Sequence, residues 1–421
     1  MHVVEELRSQ GADVSLFVSD VDRPDQVWRP DWAVSLLTNL TEAEVLEQLG
    51  TFDIAVYNLG DHLPYHEAIY EVSTRHPGLV ILHDLVMHHF FHSYYLQKRS
   101  DSTNYVRELM YSHGQEGLAL GLAVLHGAGD DVFNSPHMLQ CNMSLSAVRA
   151  AYGVMVHSRF AAEYLQRIAG CRVKKSCLPM LGVTRLFGQR IPNQISGPKD
   201  KMRLLTYGRI NRNKRVPDIL ETIAASPKLR GKVFFTVVGA VDPVYGDMLK
   251  QMVQRLQLTS QVDLILEYRP DDYIHDQLAS SDVVVNLRDP HFGESSAVLV
   301  EAVSLGKPTI VWRHGSYDEL PDDVVVKVDS FEQFRTRLEE LVESPAKREK
   351  LSAMAVDYAR SAFDLGEYCS TLLSFVAEVR YDAPALELVD TAVALISEMG
   401  PDVGEALPNL LLDEIRVLAQ C

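Results

Sequence analysis

The sequence predicts an α/β protein built from two doubly wound domains. Short apolar strands alternate with amphipathic helices in the first half, and a second alternating series starts after residue 201. This alternation is typical of parallel sheets that are covered by helices. A chain of 421 residues is also too long for one ordinary core. We therefore expect two Rossmann-like domains that face each other across a cleft.

Composition and charge restrict the class of protein. The hydrophobic fraction is 47% and the charged fraction is 23%, as in ordinary soluble proteins. The net charge of −17 argues against nucleic-acid binding and against broad docking on anionic lipid. The five cysteines are scattered without metal-ligand spacing, which indicates a reduced, cytoplasmic protein. The first residues lack the pattern of a signal peptide, and no apolar run has the length of a membrane span.

The first half is predicted to carry five strands, and residues 88–150 between them have the spacing of helices. The strands are predicted at 14–18, 52–57, 79–82, 153–156 and 173–178. Residues 188–201 are rich in proline, glycine and polar residues, which predicts a linker. The first domain is therefore expected to span 1–187.

The second domain is predicted at 202–365, and residues 366–421 are predicted as helices that return to the first domain and end in an amphipathic tail. Strands are predicted at 203–207, 233–238, 262–266, 283–287, 309–312 and 324–328.

Residues 285–310 form the most informative stretch of the second domain. A strand ends near Leu287, a turn follows, and a helix is expected to begin at Ser295 or Ser296. The helix should end at Gly306, since a glycine followed by proline is a common stop signal. The exposed N–H groups and positive dipole at the start of such a helix favour an anion such as a phosphate.

Two glutamates on this stretch are candidate ligand-binding residues. Glu294 lies at the mouth of the turn, and Glu301 lies two helical turns further on and on nearly the same face. A carboxylate at Glu301 is placed to accept hydrogen bonds from sugar or ribose hydroxyls. The alternative is a capped helix whose acidic residues only interact favourably with the dipole.

Two cations follow the first strand of the second domain. Arg209 and Lys214 flank a loop that leads into a helix, an arrangement suited to a diphosphate. The alternative is a pair of solvated loop cations. Gly239 ends the next strand, where a glycine lets a ligand approach the backbone closely or simply forms a turn.

Histidines mark the end of a strand in the first half. His83 and Asp84 follow the strand at 79–82, so His83 is expected to face the cleft and act on a sugar hydroxyl or a developing charge. His88, His89 and His92 follow closely, but no carboxylate completes a ligand set. We therefore expect no metal site, and we expect these three histidines to line a wall or to pack on a helix.

In this order, the motifs resemble the retaining glycosyltransferases of the GT-B fold, in particular glycosyltransferase family 4 (glycosyl transferases group 1). The matching pieces span residues 1–380 and together are more specific than any one alone. They are His83–Asp84, His157–Ser158, Arg209 with Lys214, Gly239, and the segments GES and EAVSLGKP within 293–308.

The resemblance implies that the second domain binds a UDP- or GDP-sugar and that the enzyme moves a hexosyl group with retention of configuration. Arg209 and Lys214 would hold the diphosphate, and Glu301 would take the ribose hydroxyls. His83 would lie beside the transferred sugar as a catalytic residue. No metal or other cofactor is expected, and the leaving diphosphate oxygen would serve as the base for the acceptor hydroxyl.

The resemblance also assigns the turn before the helix and the role of the first domain. The segment Phe292, Gly293, Glu294 and Ser295 would contact the donor sugar and its phosphate, with Glu294 as a second catalytic residue. The first domain would bind a glycan, lipid or small-molecule acceptor, as in polysaccharide biosynthesis. The amphipathic tail is a candidate for contact with the inner face of a membrane or with another subunit.

Two departures from the family pattern qualify this expectation. The usual pair of glutamates is separated by seven residues, but that position before Glu301 is Gly293, and Glu294 comes one residue late. The chain also begins after the family's first strand and glycine-rich loop, which predicts a truncated first domain. The alternative function is therefore a weak or inactive binding or partner subunit of the same fold. A sugar-nucleotide epimerase of this fold is a third interpretation.

Overall fold

The computed structural model describes residues 2–19, 34–36, 41–179, 198 and 200–399. This part of the chain contains parallel sheets of two, four and six strands. The predicted fold class, α/β with doubly wound parallel sheets and a helical C-terminal segment, is confirmed. Most of the predicted linker at 188–201, and the tail after Met399, lie outside the described residues.

The first half holds the two smaller sheets. Its strands are β1 (Leu16–Val18), β2 (Val34–Leu36), β3 (Val56–Leu59), β4 (Leu79–Leu82), β5 (Gly153–Val156) and β6 (Arg172–Lys175). Strands β1 and β2 pair with each other, and the four-stranded sheet has the order β3-β4-β5-β6. Because these four strands are parallel, the residues that follow β3, β4 and β5 meet at one edge of the sheet.

Nine α-helices are described in the first half. They are α1 (His2–Ser9), α2 (Glu42–Leu49), α3 (Leu63–Arg75), α4 (His88–His92), α5 (Ser102–Ala123), α6 (Gly129–Phe133), α7 (His137–Gln140), α8 (Ser144–Val148) and α9 (Arg159–Leu165). Gly114 interrupts α5 with a non-helical backbone, φ 60° and ψ −136°. The two arms of α5 then pack closely, since a Cβ on Gly117 would lie 2.0 Å from the Leu109 carbonyl oxygen.

The second half is one six-stranded sheet with its helices. The strands are β7 (Met202–Tyr207), β8 (Val233–Val238), β9 (Val262–Ile265), β10 (Val283–Asn286), β11 (Thr309–Trp312) and β12 (Val326–Val328). The order is β12-β11-β10-β7-β8-β9. The chain therefore builds outward from β7 to one side and then from β10 to the other. Ligands of doubly wound sheets bind beside such a switch point, at the carboxyl ends of the strands.

Helices pack around this sheet and continue to the end of the described chain. They are α10 (Val216–Ala225), α11 (Pro243–Arg255), α12 (Asp271–Ser280), α13 (Ala297–Ser304), α14 (Phe331–Glu343), α15 (Pro345–Ala362) and α16 (Leu365–Met399). The central strand β10 is fully buried, with Val283, Val284 and Val285 at most 1% exposed. A strand covered on both faces needs such a continuous run of β-branched residues.

The ends of β7 and β8 approach each other through two glycines. Gly208 has φ +86° and Gly239 has φ +147°, both in the region that favours glycine. A Cβ on Gly239 would lie 1.9 Å from the Gly208 carbonyl oxygen, which is a severe overlap with backbone. Gly239 is therefore required for the contact between the two strand ends, whatever ligand lies in front of them.

Helix α16 returns to the first half and packs on the four-stranded sheet. Gly153 of β5 makes room for it, because a Cβ there would lie 2.4 Å from Val379. Ion pairs from Arg172 to Asp382 and from Lys174 to Glu378 join the edge strand β6 to the helix. Within the described ranges, no helix combines the length and the apolar composition needed to cross a bilayer.

The strand predicted at 52–57 begins later, as β3 at Val56. The first residues of the predicted run are used to close helix α2. The Thr51 N–H donates to the Gln48 carbonyl and the Phe52 N–H to the Leu49 carbonyl, both at 3.1 Å. Apolar content alone does not distinguish such a closing turn from the start of a strand.

The glycine contact predicts a large difference between two Gly→Ala substitutions. Gly239→Ala should lower the free energy of unfolding by about 3 kcal/mol or more, because the new methyl group overlaps a carbonyl oxygen that cannot move away. Gly231→Ala is the control: its φ is +82°, but nothing lies within 4 Å of a Cβ. It should cost about 1 kcal/mol from backbone strain alone. Chemical denaturation measures both, and equal losses would contradict the packing explanation.

Candidate functional site

Residues that follow strands of the two larger sheets meet at a junction between the halves. Phe292, after β10, packs against the core of the first half and lies 6.2 Å from the ring of His89 between centroids. A Cβ on Gly293 would lie 2.9 Å from Leu85 and 3.2 Å from Phe160. The halves thus touch at the turn that the sequence singled out, and side chains from both surround it.

A carboxylate of the second half also caps a helix of the first. Glu319 accepts hydrogen bonds from the backbone N–H groups of Arg159 at 2.9 Å and Phe160 at 2.8 Å. These donors open helix α9 and have no partner within their own helix. Hydrogen bonds to a charged group contribute about 1.5–3 kcal/mol, so the contact holds the two halves together.

Lys214 is a buried cation at the switch point. It lies in a short 3₁₀ turn (Arg212–Lys214) after β7, is 1% exposed, and donates from Nζ to the Tyr207 carbonyl at 2.5 Å. No carboxylate of the described residues lies within ion-pair distance of Nζ. Burial and the nearby Arg288 lower the pKa of Lys214 well below its ordinary value, and Glu294 only partly opposes them.

Arg209 lies at the same sheet edge and is exposed. In the described part of the chain its guanidinium has neither a hydrogen bond nor an ion pair. It is close enough to His89 of the first half to lower the pKa of that imidazole electrostatically. An unpaired guanidinium beside a buried ammonium is an arrangement that an anion would complete.

Arg288 is a third cation, and the sequence analysis did not identify it. It follows β10 directly, and its Nε lies 3.7 Å from Glu294 Oε1 without a hydrogen-bond partner. Burial opposes the charge, but Tyr317, Glu294 and Asp84 outweigh it and hold the pKa of Arg288 above its ordinary value. The available signal was its position immediately after a buried strand, the same position that marked Arg209 after β7.

The turn before α13 is held by its own side chains. Phe292 donates its N–H to Glu294 Oε2 at 2.7 Å, and the Ser316 hydroxyl donates to the Glu294 carbonyl at 2.7 Å. Gly293 has φ +70°. In this structure Glu294 therefore braces the turn and faces Arg288.

Ser295 lines a cavity of about 220 Å³ between the halves. Both halves and helix α15 line the cavity. Its polar lining residues include His157, Arg159, Lys175, Ser296, Ser316 and Glu319.

Helix α13 is defined at both ends, as the sequence predicted. Ser296 is the N-cap and accepts from the Leu299 N–H at 3.3 Å. Gly306 follows the helix at φ +63°, and the Lys307 N–H donates to the Ala302 carbonyl at 2.8 Å. This closing pattern is the Schellman motif, which favours glycine at that position.

Glu301 lies further along α13 and is paired with a tyrosine. The Tyr207 hydroxyl donates to Glu301 Oε2 at 2.7 Å. Burial raises the pKa of Glu301, and the Tyr207 hydrogen bond and the charge of His275 partly oppose the shift. Tyr207 was not identified from the sequence. It orients the carboxylate and leaves the second oxygen, Oε1, for another donor.

His83 belongs to a chain of hydrogen bonds inside the first half. Its Nδ1 lies 3.0 Å from His157 Nε2, and its Nε2 lies 3.1 Å from Asn58 Oδ1. The Ser176 carbonyl can only accept, so His157 Nδ1 donates to it at 3.1 Å. Burial and the charge of His157 lower the pKa of His83 to about 3. His83 is therefore a neutral imidazole at physiological pH.

Asp84 faces the junction from the end of β4. Its Oδ2 accepts the Asp61 N–H at 2.9 Å. Burial raises the pKa of Asp84 to about 6, and the charges of Asp61 and Glu294 add to the shift, while Arg288 opposes it.

The structure brings some of the predicted residues together and separates others. Lys214, Arg209 and Glu294 surround one junction, together with Arg288. Glu301 accepts a hydrogen bond from Tyr207, and Gly239 packs against the backbone of Gly208. Among the described residues, no group of three or more His, Cys, Asp or Glu side chains could hold a metal ion.

Comparison with protein families places the second half in a known group. Residues 189–358 match the family described as "Glycosyl transferases group 1". The chain therefore contains a glycosyl transferases group 1 domain, and this coarser part of the predicted resemblance is confirmed. No curated protein sequence matches the chain.

Several solved GT-B glycosyltransferase structures are similar to most of the chain. Sucrose-phosphate synthase from Thermosynechococcus elongatus has a TM-score of 0.58 at 14% identity, covering 90% of this chain and 91% of that one. Anabaena HepE in complex with UDP and glucose has a TM-score of 0.56 at 16% identity, with 82% and 86% covered. WaaG, a glycosyltransferase involved in lipopolysaccharide biosynthesis, has 0.55 at 16%, with 89% and 94% covered. The predicted GT-B fold is confirmed.

The raised pKa of Asp84 predicts a specific dependence of stability on pH. A carboxyl with a raised pKa in the folded state stabilises the fold below its unfolded pKa of 3.8, and this contribution is lost as pH rises through about 6. At about 1.4 kcal/mol per pH unit between the two pKa values, the effect is about 3 kcal/mol at most.

Asp84→Asn should remove this dependence, because the amide oxygen still accepts the Asp61 N–H but does not titrate. Urea unfolding at pH 4 and pH 7 measures the effect. The wild type should lose stability relative to Asp84→Asn between these pH values. A parallel change in both proteins would contradict the assignment.

Proposed function

We propose that this protein is a glycosyltransferase that moves a hexosyl group from a UDP- or GDP-sugar to a hydroxyl of a glycan, lipid or small-molecule acceptor, with retention of configuration. The observation that carries the proposal is the buried Lys214 ammonium, which has no carboxylate partner among the described residues and lies at the switch point of the group 1 domain. An uncompensated buried cation at this position favours an anionic ligand.

The diphosphate of the donor is the anion that fits this site. Arg209 supplies an exposed guanidinium, Lys214 a buried ammonium, and Arg288 a buried guanidinium with an unpartnered Nε. Three cations next to one helix N-terminus match the charge that develops on a nucleoside diphosphate as the bond to the sugar breaks. Such fixed charges stabilise the leaving group without rearrangement of solvent. With this charge supplied by side chains, we expect no metal or cofactor requirement.

We assign the ribose to Glu301, within α13, and the donor sugar to the turn that precedes α13. Glu301, oriented by Tyr207, accepts hydrogen bonds from the ribose hydroxyls. The turn Phe292–Ser295 contacts the donor sugar, with Glu294 bracing it. Anabaena HepE, which shares the fold, was solved with UDP and glucose, and this supports a nucleotide-sugar donor here.

In this proposal His83 lies beside the transferred sugar. Both of its ring nitrogens are paired within the first half, so a sugar hydroxyl would replace the contact with Asn58 or with His157. As a neutral imidazole, His83 is not an acid at physiological pH. The acceptor enters from the first half. The protein works in the cytoplasm, where nucleotide sugars are available, and contact of the tail with a membrane remains part of the proposal.

The first test compares two lysines. Lys214→Ala should weaken binding of UDP or GDP by about 10- to 100-fold, since a hydrogen bond to a charged group contributes about 1.5–3 kcal/mol. Lys232→Ala is the matched control, because Lys232 is an exposed lysine of the same domain. It should bind within about twofold of the wild type by the same reasoning. Isothermal titration calorimetry measures both.

Turnover is tested in parallel with a panel of UDP- and GDP-sugars, by nucleotide release and by NMR of the anomer first formed. Equal binding by the two lysine variants would contradict the diphosphate assignment. Binding without turnover would favour the alternative of an inactive binding subunit.

A second test separates the ribose contact from the diphosphate contact. Glu301→Gln keeps the side-chain volume and an oxygen for Tyr207, but it removes the charged acceptor. It should weaken binding of UDP by about 10-fold, the effect of one hydrogen bond to a charged group. Binding of inorganic pyrophosphate, which has no ribose, should be unchanged. A loss of affinity for both ligands would show that Glu301 acts on the diphosphate or on the fold.

A further inference from the structure

Two exposed aromatic rings lie against each other at the start of helix α3 in the first half. His62 is the N-cap of the helix, and Tyr65 lies in its first turn. Their ring centroids are 4.7 Å apart, with an angle of 33° between the ring planes. Tyr65 is 53% exposed, and the His62 side chain makes no capping hydrogen bond to the helix. This aromatic pair therefore presents a surface to solvent that the helix itself does not require.

Contacts through α3 fix the aromatic pair close to the end of β4. His66 of α3 has its Nδ1 3.1 Å from the Asn58 carbonyl oxygen, and Asn58 Oδ1 lies 3.1 Å from His83 Nε2. Gly60 lies between the helix and the next strand end, because a Cβ there would be 2.9 Å from His66 Nε2 and 3.0 Å from Asp84 Oδ2. The first turn of α3 is therefore at the same sheet edge as the residues that follow β4.

Asp61 connects the aromatic pair with the junction between the halves. It directly precedes His62, and its Oδ2 lies 2.9 Å from His89 Nδ1. Its Oδ1 accepts the Phe90 N–H at 2.8 Å, so the carboxylate is held at the start of α4. The His89 ring in turn lies 6.2 Å from Phe292 between centroids. A series of direct contacts thus leads from the aromatic pair to the turn assigned to the donor sugar.

The segments around the aromatic pair provide no positive side chain of lysine or arginine. Residues 60–66 and 83–87, both within the described part of the chain, contain two aspartates and three histidines but no Lys or Arg. Burial lowers the pKa of His66 and of His83, so these two imidazoles are neutral at physiological pH. A phosphate or carboxylate on the acceptor would face aspartates without a compensating cation. The charge of this face therefore favours an uncharged acceptor.

An exposed aromatic pair beside carboxylates has the chemistry that a sugar ring requires. The face of a pyranose ring presents C–H groups with partial positive charge on their hydrogens, and the face of an aromatic ring is negative. The hydroxyl groups at the edge of the sugar are hydrogen-bond donors, which carboxylates and neutral imidazoles accept. A lipid chain has no such donors. Among the three kinds of acceptor considered, a saccharide fits this face best.

We propose that His62 and Tyr65 form an acceptor subsite and that the acceptor is an uncharged saccharide, one ring of which stacks on Tyr65. This inference rests on the proposed function and names the class of its acceptor. Asp61, adjacent to the aromatic pair, accepts hydrogen bonds from hydroxyl groups of the saccharide. The negative charge of the donor and the neutral acceptor are thus bound on opposite sides of the junction, by cations of the second half and by aromatic and acidic groups of the first.

The first experiment measures binding of saccharides to the full chain in the presence of UDP or GDP, by titration with saturation-transfer difference NMR. The probes are glucose, mannose, maltose and cellobiose. Tyr65→Ala should weaken binding of the saccharide that the wild type binds best by about 10-fold, since it removes the stacking ring. Tyr65→Phe keeps the ring and should restore the affinity to within about twofold of the wild type.

A matched control and a check on folding accompany this comparison. Tyr111→Ala, at a tyrosine of α5 that is 61% exposed, should bind the saccharide as the wild type does. The affinity of Tyr65→Ala for UDP or GDP, measured without saccharide, should stay within about twofold of the wild type, because the ring lies outside the assigned donor site. A loss of nucleotide binding would indicate an altered fold, and Tyr65→Leu, which keeps an apolar side chain but no ring, then replaces Tyr65→Ala.

The second experiment tests the charge of the acceptor. Glucose-6-phosphate and mannose-6-phosphate are compared with the unphosphorylated sugars, by the same binding measurement and by transfer from UDP-glucose and GDP-mannose. The neutral sugars should bind at least about 10-fold more tightly, because the phosphate is placed next to aspartates without a cation. Where transfer is observed, Tyr65→Ala should raise KM for the saccharide by about the same factor as it raises Kd.

The results that overturn the inference are distinguishable from failure of the proposed function. With UDP or GDP bound, three outcomes each overturn this inference alone: no binding of any neutral saccharide, tighter binding of the sugar phosphates, or equal affinities of Tyr65→Ala and Tyr111→Ala. A wild type that binds neither UDP nor GDP overturns the proposed function and this inference with it.

Discussion

A lysine ammonium buried without a carboxylate is the interaction on which the site depends. Lys214 is held by the Tyr207 carbonyl at the end of the central strand β7. A neutral carbonyl compensates a buried charge only in part, which is why the pKa of Lys214 is lowered, and a bound anion would favour the charged form. The close glycine contact between β7 and β8 fixes the strand end that presents this carbonyl. The same few residues therefore determine how the strand ends pack and where the charge of the site lies.

The junction between the halves supplies what the group 1 domain lacks alone. Glu294 and Arg288 face Asp84 across it, and Phe292 packs on the first half. Cations are concentrated on the second half, whereas the first half offers carboxyl groups and imidazoles. This asymmetry suits a ligand whose negative charge is held by the second half. The low dielectric of the junction strengthens this attraction.

Much of the second sheet and of the turn and helix that follow β10 could be predicted because the signals are local. The caps of α13, the glycine stop at Gly306 and the cations after β7 are all encoded within a few residues. Arg288 and Tyr207 were missed because their importance depends on contacts between segments far apart in the chain. The same is true of Asp61 and His89, which are 28 residues apart. The sequence left open whether the histidines of α4 line a wall or pack on a helix. In the structure His88 is fully buried and contacts Tyr105, and His89 contacts Asp61, which follows another strand.

The contact of Glu319 with α9 has a consequence for the catalytic cycle. If the halves separate when the proposed nucleotide leaves, two backbone N–H groups lose the carboxylate of Glu319. Breaking the two hydrogen bonds to this carboxylate would therefore be part of the free-energy barrier to product release. In the proposed function, this partly buried side chain would influence how long the spent nucleotide stays bound.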